Sequence, residues 1–116
     1  MDGLRARVYG RVQGVNFRWM IKSFADKEGI RGFVRNLDDG GIEIVAQGER
    51  KKLENFISWI KNSPGFAKVE KTEVEWTKKS ENFRGFEIVR EENYIKDRLK
   101  GIVSLGKSIL NNDKRK

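Results

Sequence analysis

The stretch RVQGVNFRW, residues 11–19, changes from a period-two to a helical pattern, with Gly14 at the change and Arg18 in the first helical turn. A loop that leaves a strand and opens a helix presents backbone N–H groups that the helix itself cannot pair, so it suits a phosphate or a carboxylate. Gly14 lets the main chain turn and approach an anion closely, and Arg18 adds a rigid fork of donors able to take two oxygens of one phosphate. In outline this is an anion cradle, although an arginine in a first helical turn is as readily a solvent-facing residue. Asn36 poses the same choice: it ends a strand just before LDDGG, where asparagine also serves purely local turn geometry. Asp38 and Asp39 suggest a metal pair or an acid/base couple on paper. Adjacent aspartates in a tight hairpin point in different directions, so they read as turn formers.

Composition narrows the chemistry further. The chain has 116 residues with neither histidine nor cysteine, which removes the commonest zinc ligands, the usual general base and any disulfide. Any chemistry here must therefore do without them. The formal net charge is +8, of which residues 1–90 carry +5 and residues 91–116 carry +3. A field spread over both parts fixes the sign of a partner without fixing its class. No apolar run approaches the length of about 20 residues that a bilayer span needs. The opening MDGLRARVYG has no apolar leader segment, so a cytoplasmic location is the expectation.

The elements that must hold these residues can be read from periodicity. Leu4, Ala6, Val8 and Val12 alternate with Arg5, Arg7, Tyr9 and Arg11, giving a first strand in which Gly10 occupies an inward position. Phe17, Met20, Ile21, Phe24 and Ala25 then keep helical spacing over residues 16–28, closed by Gly29. IRGFVRN and GIEIVAQG flank the Asp39-Gly40 turn as two strands of a hairpin. A second helix places Leu53, Phe56, Ile57 and Ile60 on one face until Ser63-Pro64-Gly65 stops it. Val69, Thr72, Val74 and Trp76 form a fourth strand, with a slip between 69 and 72 that suggests a bulge, and FRGFEIVR supplies a last short one. The order βαββαβ, with that extra strand, predicts an α+β ferredoxin-like sandwich: an antiparallel sheet with two helices on one face. Trp19, Trp59 and Trp76 read as packing residues, and the run ERKK opening the second helix as a solvated face.

The stretch VYGRVQGVNFRWMIKSFADKEGIRGFVRNLDDGGIEIVAQG resembles the signature of the acylphosphatase family, with G-x-V-Q-G-V-x-F-R followed by a helix and then G-x-V-x-N before a D-G hairpin. The likeness continues through FISWIK, AKVEKTEVEW and FRGFEIVR, covering nearly all of residues 4–90. Two separated motifs in the right order are more specific than either alone. The departures are small: Asn16 stands before Phe17, Ser63-Pro64-Gly65 replaces a glycine-proline, and a 26-residue tail exceeds the family's usual length. The resemblance implies hydrolysis of the carboxyl-phosphate bond in small acyl phosphates by positioned water, without metal or cofactor. Carried over by motif, Arg18 binds the phosphate with the main-chain amides of Gln13, Gly14, Val15, Asn16, Phe17 and Arg18, and Asn36 holds the attacking water. Phosphate or sulfate is then the expected occupant of the cradle.

Two other readings compete. Ferredoxin-like sheets also serve as RNA platforms, with Tyr9 and Phe33 as stacking candidates. The aromatic-rich run of an RNA-recognition motif is missing, so nucleic acid is not the expected partner. A non-catalytic anion-binding or interaction protein would keep the fold and lose the turnover. On any of these readings residues 1–90 are expected to form the acylphosphatase-like domain and residues 91–116 a C-terminal helical extension. Ile95, Leu99, Ile102, Val103, Ile109 and Leu110 make a helical stripe interrupted by Gly101 and Gly106, ending in a frayed NNDKRK. Such a helix needs a surface, either the open face of the sheet or a second copy of the chain, and so suggests a homo-oligomer; a membrane surface is the sharper alternative.

Overall fold

In the computed structural model, residues 1–78 and 82–90 are described; the helix and oligomer contact expected of residues 91–116 lie outside them. Five strands and two helices follow in the order β1 (Asp2–Arg11), α1 (Phe17–Glu28), β2 (Arg31–Asn36), β3 (Ile42–Gly48), α2 (Arg50–Lys61), β4 (Lys68–Thr77) and β5 (Phe86–Val89). They form one sheet ordered β4-β1-β3-β2-β5. The β1–β3, β1–β4 and β2–β3 pairs are antiparallel, as the ferredoxin-like expectation requires. β5 departs from an all-antiparallel sheet by pairing parallel to β2, with Gly32 opposite Phe86 and Arg35 opposite Val89. It therefore runs toward the same end of the sheet as Asn36 does.

The alternation of β1 decides which face is covered. Leu4, Ala6 and Val8 are buried whereas Arg5 and Arg7 are exposed. Both helices close on the first set. Phe17, Ile21 and Ala25 of α1 recur every fourth residue on its buried face, and Leu53, Phe56, Ile57 and Ile60 of α2 are all buried as their spacing predicts. Between the layers the Phe24 ring stacks 4.6 Å from Trp59 and 5.5 Å from Phe56, and Phe86 of β5 meets Phe56 edge-on at 6.0 Å. Offset and edge-on contacts of this kind add to the burial of the rings themselves. The opposite face carries Glu43, only 4% exposed, beneath three arginines. Arg35 Nε donates to its carboxylate at 2.8 Å, and Arg5 and Arg7 approach it at 3.6 and 3.9 Å. A carboxylate with little access to water is tolerable when such partners replace its hydration.

The slip expected in β4 is present. Tyr9 pairs with Lys71 and Gly10 with Val69, so Glu70 is skipped. Gly10 is exposed, contrary to the inward position that alternation gives it. It excludes a side chain for a different reason: with φ of 131°, a Cβ there would stand 2.1 Å from the Lys68 carbonyl oxygen. The bulge and the glycine are thus one feature, in which β4 bends over β1 at the end of the strand that feeds the loop to α1.

Candidate anion site

Residues 12–16 carry the chain from β1 into α1. Val12 is 1% exposed and Val15 packs against the core, so the loop is pinned at two points. Gly14 and Asn16, on either side of Val15, both take left-handed backbone angles, with φ of 74° and 65°. This conformation is open to glycine at no steric cost and to asparagine more readily than to most residues. A Cβ at Gly14 would meet nothing within 4 Å among the described residues. Within the described residues the amides of Gly14, Val15 and Asn16 donate no main-chain hydrogen bond. The first intrahelical bond runs from Met20 N–H to the Asn16 carbonyl at 3.3 Å, which leaves the amides of the first turn, Phe17 and Arg18 included, without helical acceptors. The Asn16 side chain makes no cap hydrogen bond to them.

Arg18 sits in that first turn, half-buried, and forms no ion pair among the described residues. Its side chain faces a groove of about 540 Å³ between α1 and β5, shared with Trp19, Lys22, Arg84, Glu87 and Arg90. Lys22 is held within it, donating to the Phe86 carbonyl at 2.7 Å and to Asp26 at 3.0 Å. Trp19 does not pack as its type suggests, being 62% exposed on the groove wall. Trp59 and Trp76 do pack, the latter under the Arg50 guanidinium at 3.7 Å. Arg50 also pairs with Asp2 and Glu54, so the ERKK run is only in part a free solvated face.

Asn36 is the last residue of β2, paired with Ile42 of β3. Its Oδ1 is buried and has no hydrogen-bond partner among the described residues. Buried carboxamide oxygens are nearly always satisfied, so this one stands apart from the other buried polar atoms of the described residues. The hairpin beyond it closes with Leu37 N–H donating to Gly41 O at 2.8 Å and Gly40 N–H to Leu37 O at 3.2 Å. Asp39 Oδ1 accepts from Gly41 N–H at 3.1 Å, the turn-forming use expected of it.

The loop and the hairpin meet through a group that periodicity passes over. Gln13 Nε2 donates to Leu37 O at 2.8 Å and to Gly41 O at 2.7 Å. The cradle loop therefore abuts the end of β2, one residue from Asn36. Arg18 and Asn36 make no hydrogen bond to each other; the loop between them is what relates them. The groove cations Arg84 and Arg90 also went unread in the sequence, because only the parallel pairing of β5 brings them beside α1.

Known proteins resemble this chain in sequence and in fold. The family model for acylphosphatases matches residues 4–88. An acylphosphatase from Roseiflexus sp. is 45% identical over 91 residues, covering 77% of this chain and 98% of the relative. One from Thermococcus kodakarensis is 45% identical over 83 residues, covering 72% and 90%. The crystal structure of acylphosphatase from Bacillus subtilis superposes with a TM-score of 0.74 at 40% identity, covering 77% of this chain and 99% of that one. With the family model spanning most of the chain and relatives matched over nearly their whole length, this chain belongs to the acylphosphatase family.

Proposed function

We propose that this acylphosphatase works by holding the phosphate of a small acyl phosphate in the residue 13–18 loop while Asn36 presents water to the phosphorus. The observation that carries the reading is the loop itself: left-handed Gly14 and Asn16 ahead of a helix whose first-turn amides lack acceptors among the described residues, with Arg18 in that same turn. Amides, helix N-terminus and guanidinium all present positive potential to one place. The main-chain N–H groups bind the non-bridging oxygens, and the Arg18 fork takes up charge as the P–O bond to the carboxylate loosens. Asn36 Oδ1, buried and without a partner among the described residues, accepts a hydrogen bond from the attacking water and so orients its lone pair toward phosphorus.

The step balances without an enzymic base. Water oxygen forms the new P–O bond, the bridging P–O bond breaks, and its electrons leave on the carboxylate. The water proton passes to a phosphate oxygen or to solvent. A carboxylate is a good leaving group, and a loose, metaphosphate-like transition state asks the protein mainly for positioning and charge neutralisation. The reaction proceeds without a metal ion, since a site built of amide donors and a guanidinium repels cations.

A titration with inorganic phosphate in EDTA, followed by amide resonances, tests the cradle. The signals of Gly14 through Arg18 should move together and saturate, and Arg18→Ala should weaken the binding. Shifts confined to the groove residues Arg84 and Arg90, with the loop unmoved, would contradict the reading.

A further inference from the structure

We propose that the Gln13 side chain is a positioning residue for hydrolysis, clamping the β2–β3 hairpin so that Asn36 stands at a fixed place over the phosphate loop. The inference rests on the reading of Arg18 and Asn36 given above and assigns the group that keeps them in register. Gln13 is half-buried at the start of the loop, directly after Val12, which is 1% exposed. Its Nε2 has two hydrogens, and both are used: one on the Leu37 carbonyl at 2.8 Å and one on the Gly41 carbonyl at 2.7 Å. Two carbonyl partners settle which end of the carboxamide faces the hairpin, because the amide oxygen there would meet two acceptors.

The two carbonyls are the ones that already define the hairpin root. Leu37 O accepts from Gly40 N–H, and Gly41 O accepts from Leu37 N–H. A single side chain on the loop thus grips both strands where the turn begins, and the residue preceding Leu37 is Asn36. The hairpin turn itself, Asp38 to Gly40, is exposed. Without the clamp, the distance from Asn36 to the cradle would depend on the long way round, through the pairing of β1 with β3 and of β3 with β2. Gln13 closes that circuit at the site. Because its amide side chain does not face the anion space, its contribution lies in where the water is held and not in how tightly phosphate binds.

Gln13→Met keeps the length of the side chain and removes both donors. With benzoyl phosphate as substrate and inorganic phosphate as competitive inhibitor, kcat should fall about 10-fold to 100-fold, the scale that small misplacements of reacting groups produce. The phosphate inhibition constant should stay within about two-fold, because binding and turnover are separable losses. In an Asn36→Ala background the same change should cost almost nothing more, since two residues acting through one step are not additive. Full kcat in a folded Gln13→Met protein would overturn the proposal. So would an equal loss of phosphate affinity, or an undiminished loss in the Asn36→Ala background. Asn36→Ala measured alone tests the underlying site: if it retains full kcat, the water-holding role falls, and the clamp with it, whatever Gln13→Met does. Should Gln13→Met not fold, the wild-type protein supplies the test. Both Gln13 side-chain amide protons should exchange slowly with solvent, and rapid exchange would mean that the clamp is not formed.

Discussion

On the proposed reading, Arg18 and Asn36 divide the work in a way that substitutions can separate. Replacing Arg18 by lysine keeps the charge and loses the planar fork, so kcat/KM should fall by about 100-fold or more. Near-normal kcat/KM in Arg18→Lys would take the residue out of the site. Asn36→Ala should lower kcat while inorganic phosphate still inhibits as in wild type, the pattern of an interaction made on the way to the transition state. Equal losses in both would make Asn36 a phosphate ligand instead. Both residues were legible in the sequence only as candidates, because each type has an ordinary local use where it stands. The strand-to-helix change pointed to the loop, and the family resemblance is what joined the two residues in one expected site. What could not be read was the Gln13 side chain, which reaches carbonyls 24 and 28 positions along the chain. A polar residue at a strand end carries no signal for a partner that only tertiary folding supplies.

The β1–loop–α1 unit owes its shape to backbone angles that few residues tolerate. Gly14 holds a φ of 74° with open space around it. Gly14→Val should therefore cost about 1–2 kcal/mol through left-handed strain on a β-branched residue, and weaken phosphate binding as the loop relaxes. Thermal unfolding and phosphate inhibition measured on the same variant check both parts. Gly10 answers to contact as well as to angle: a Cβ 2.1 Å from the Lys68 carbonyl has nowhere to go but against the main chain of β4. Gly10→Ala should destabilise by roughly 1–3 kcal/mol, and a chemical denaturation midpoint equal to that of wild type would contradict the account. The slip in β4 was visible in its hydrophobic spacing. The reason for Gly10 was not, since alternation places the residue inward whereas the bulge leaves it exposed with its Cα against a neighbouring backbone. In α1 and α2 the helical stripes predicted the buried faces because nothing but the sheet competes for them.

Among the described residues the protein is a sheet with one covered and one charged face, and most of that was legible. The order of elements gave the ferredoxin-like sandwich. The parallel β5 was not foreseen, because four residues carry no mark of direction. That pairing lays β5 alongside β2, with Val89 opposite Arg35, and the groove between β5 and α1 takes in Arg84 and Arg90 as well as Arg18. The covered face depends on the aromatic cluster between α1, α2 and β5. Phe56, fully buried and touching Phe24, Trp59 and Phe86, should cost about 3–5 kcal/mol on truncation to alanine. Its loss should lower stability without changing kcat at temperatures where the variant remains folded. The open face carries the Glu43 ion pairs and takes no part in the cradle. Turnover by the intact chain bears on all of this at once. Steady-state hydrolysis of benzoyl phosphate in EDTA should proceed in wild type and be abolished in both Arg18→Ala and Asn36→Ala. Turnover that vanishes with EDTA in the wild-type protein, or that survives both substitutions, would contradict a metal-independent site built on these two residues.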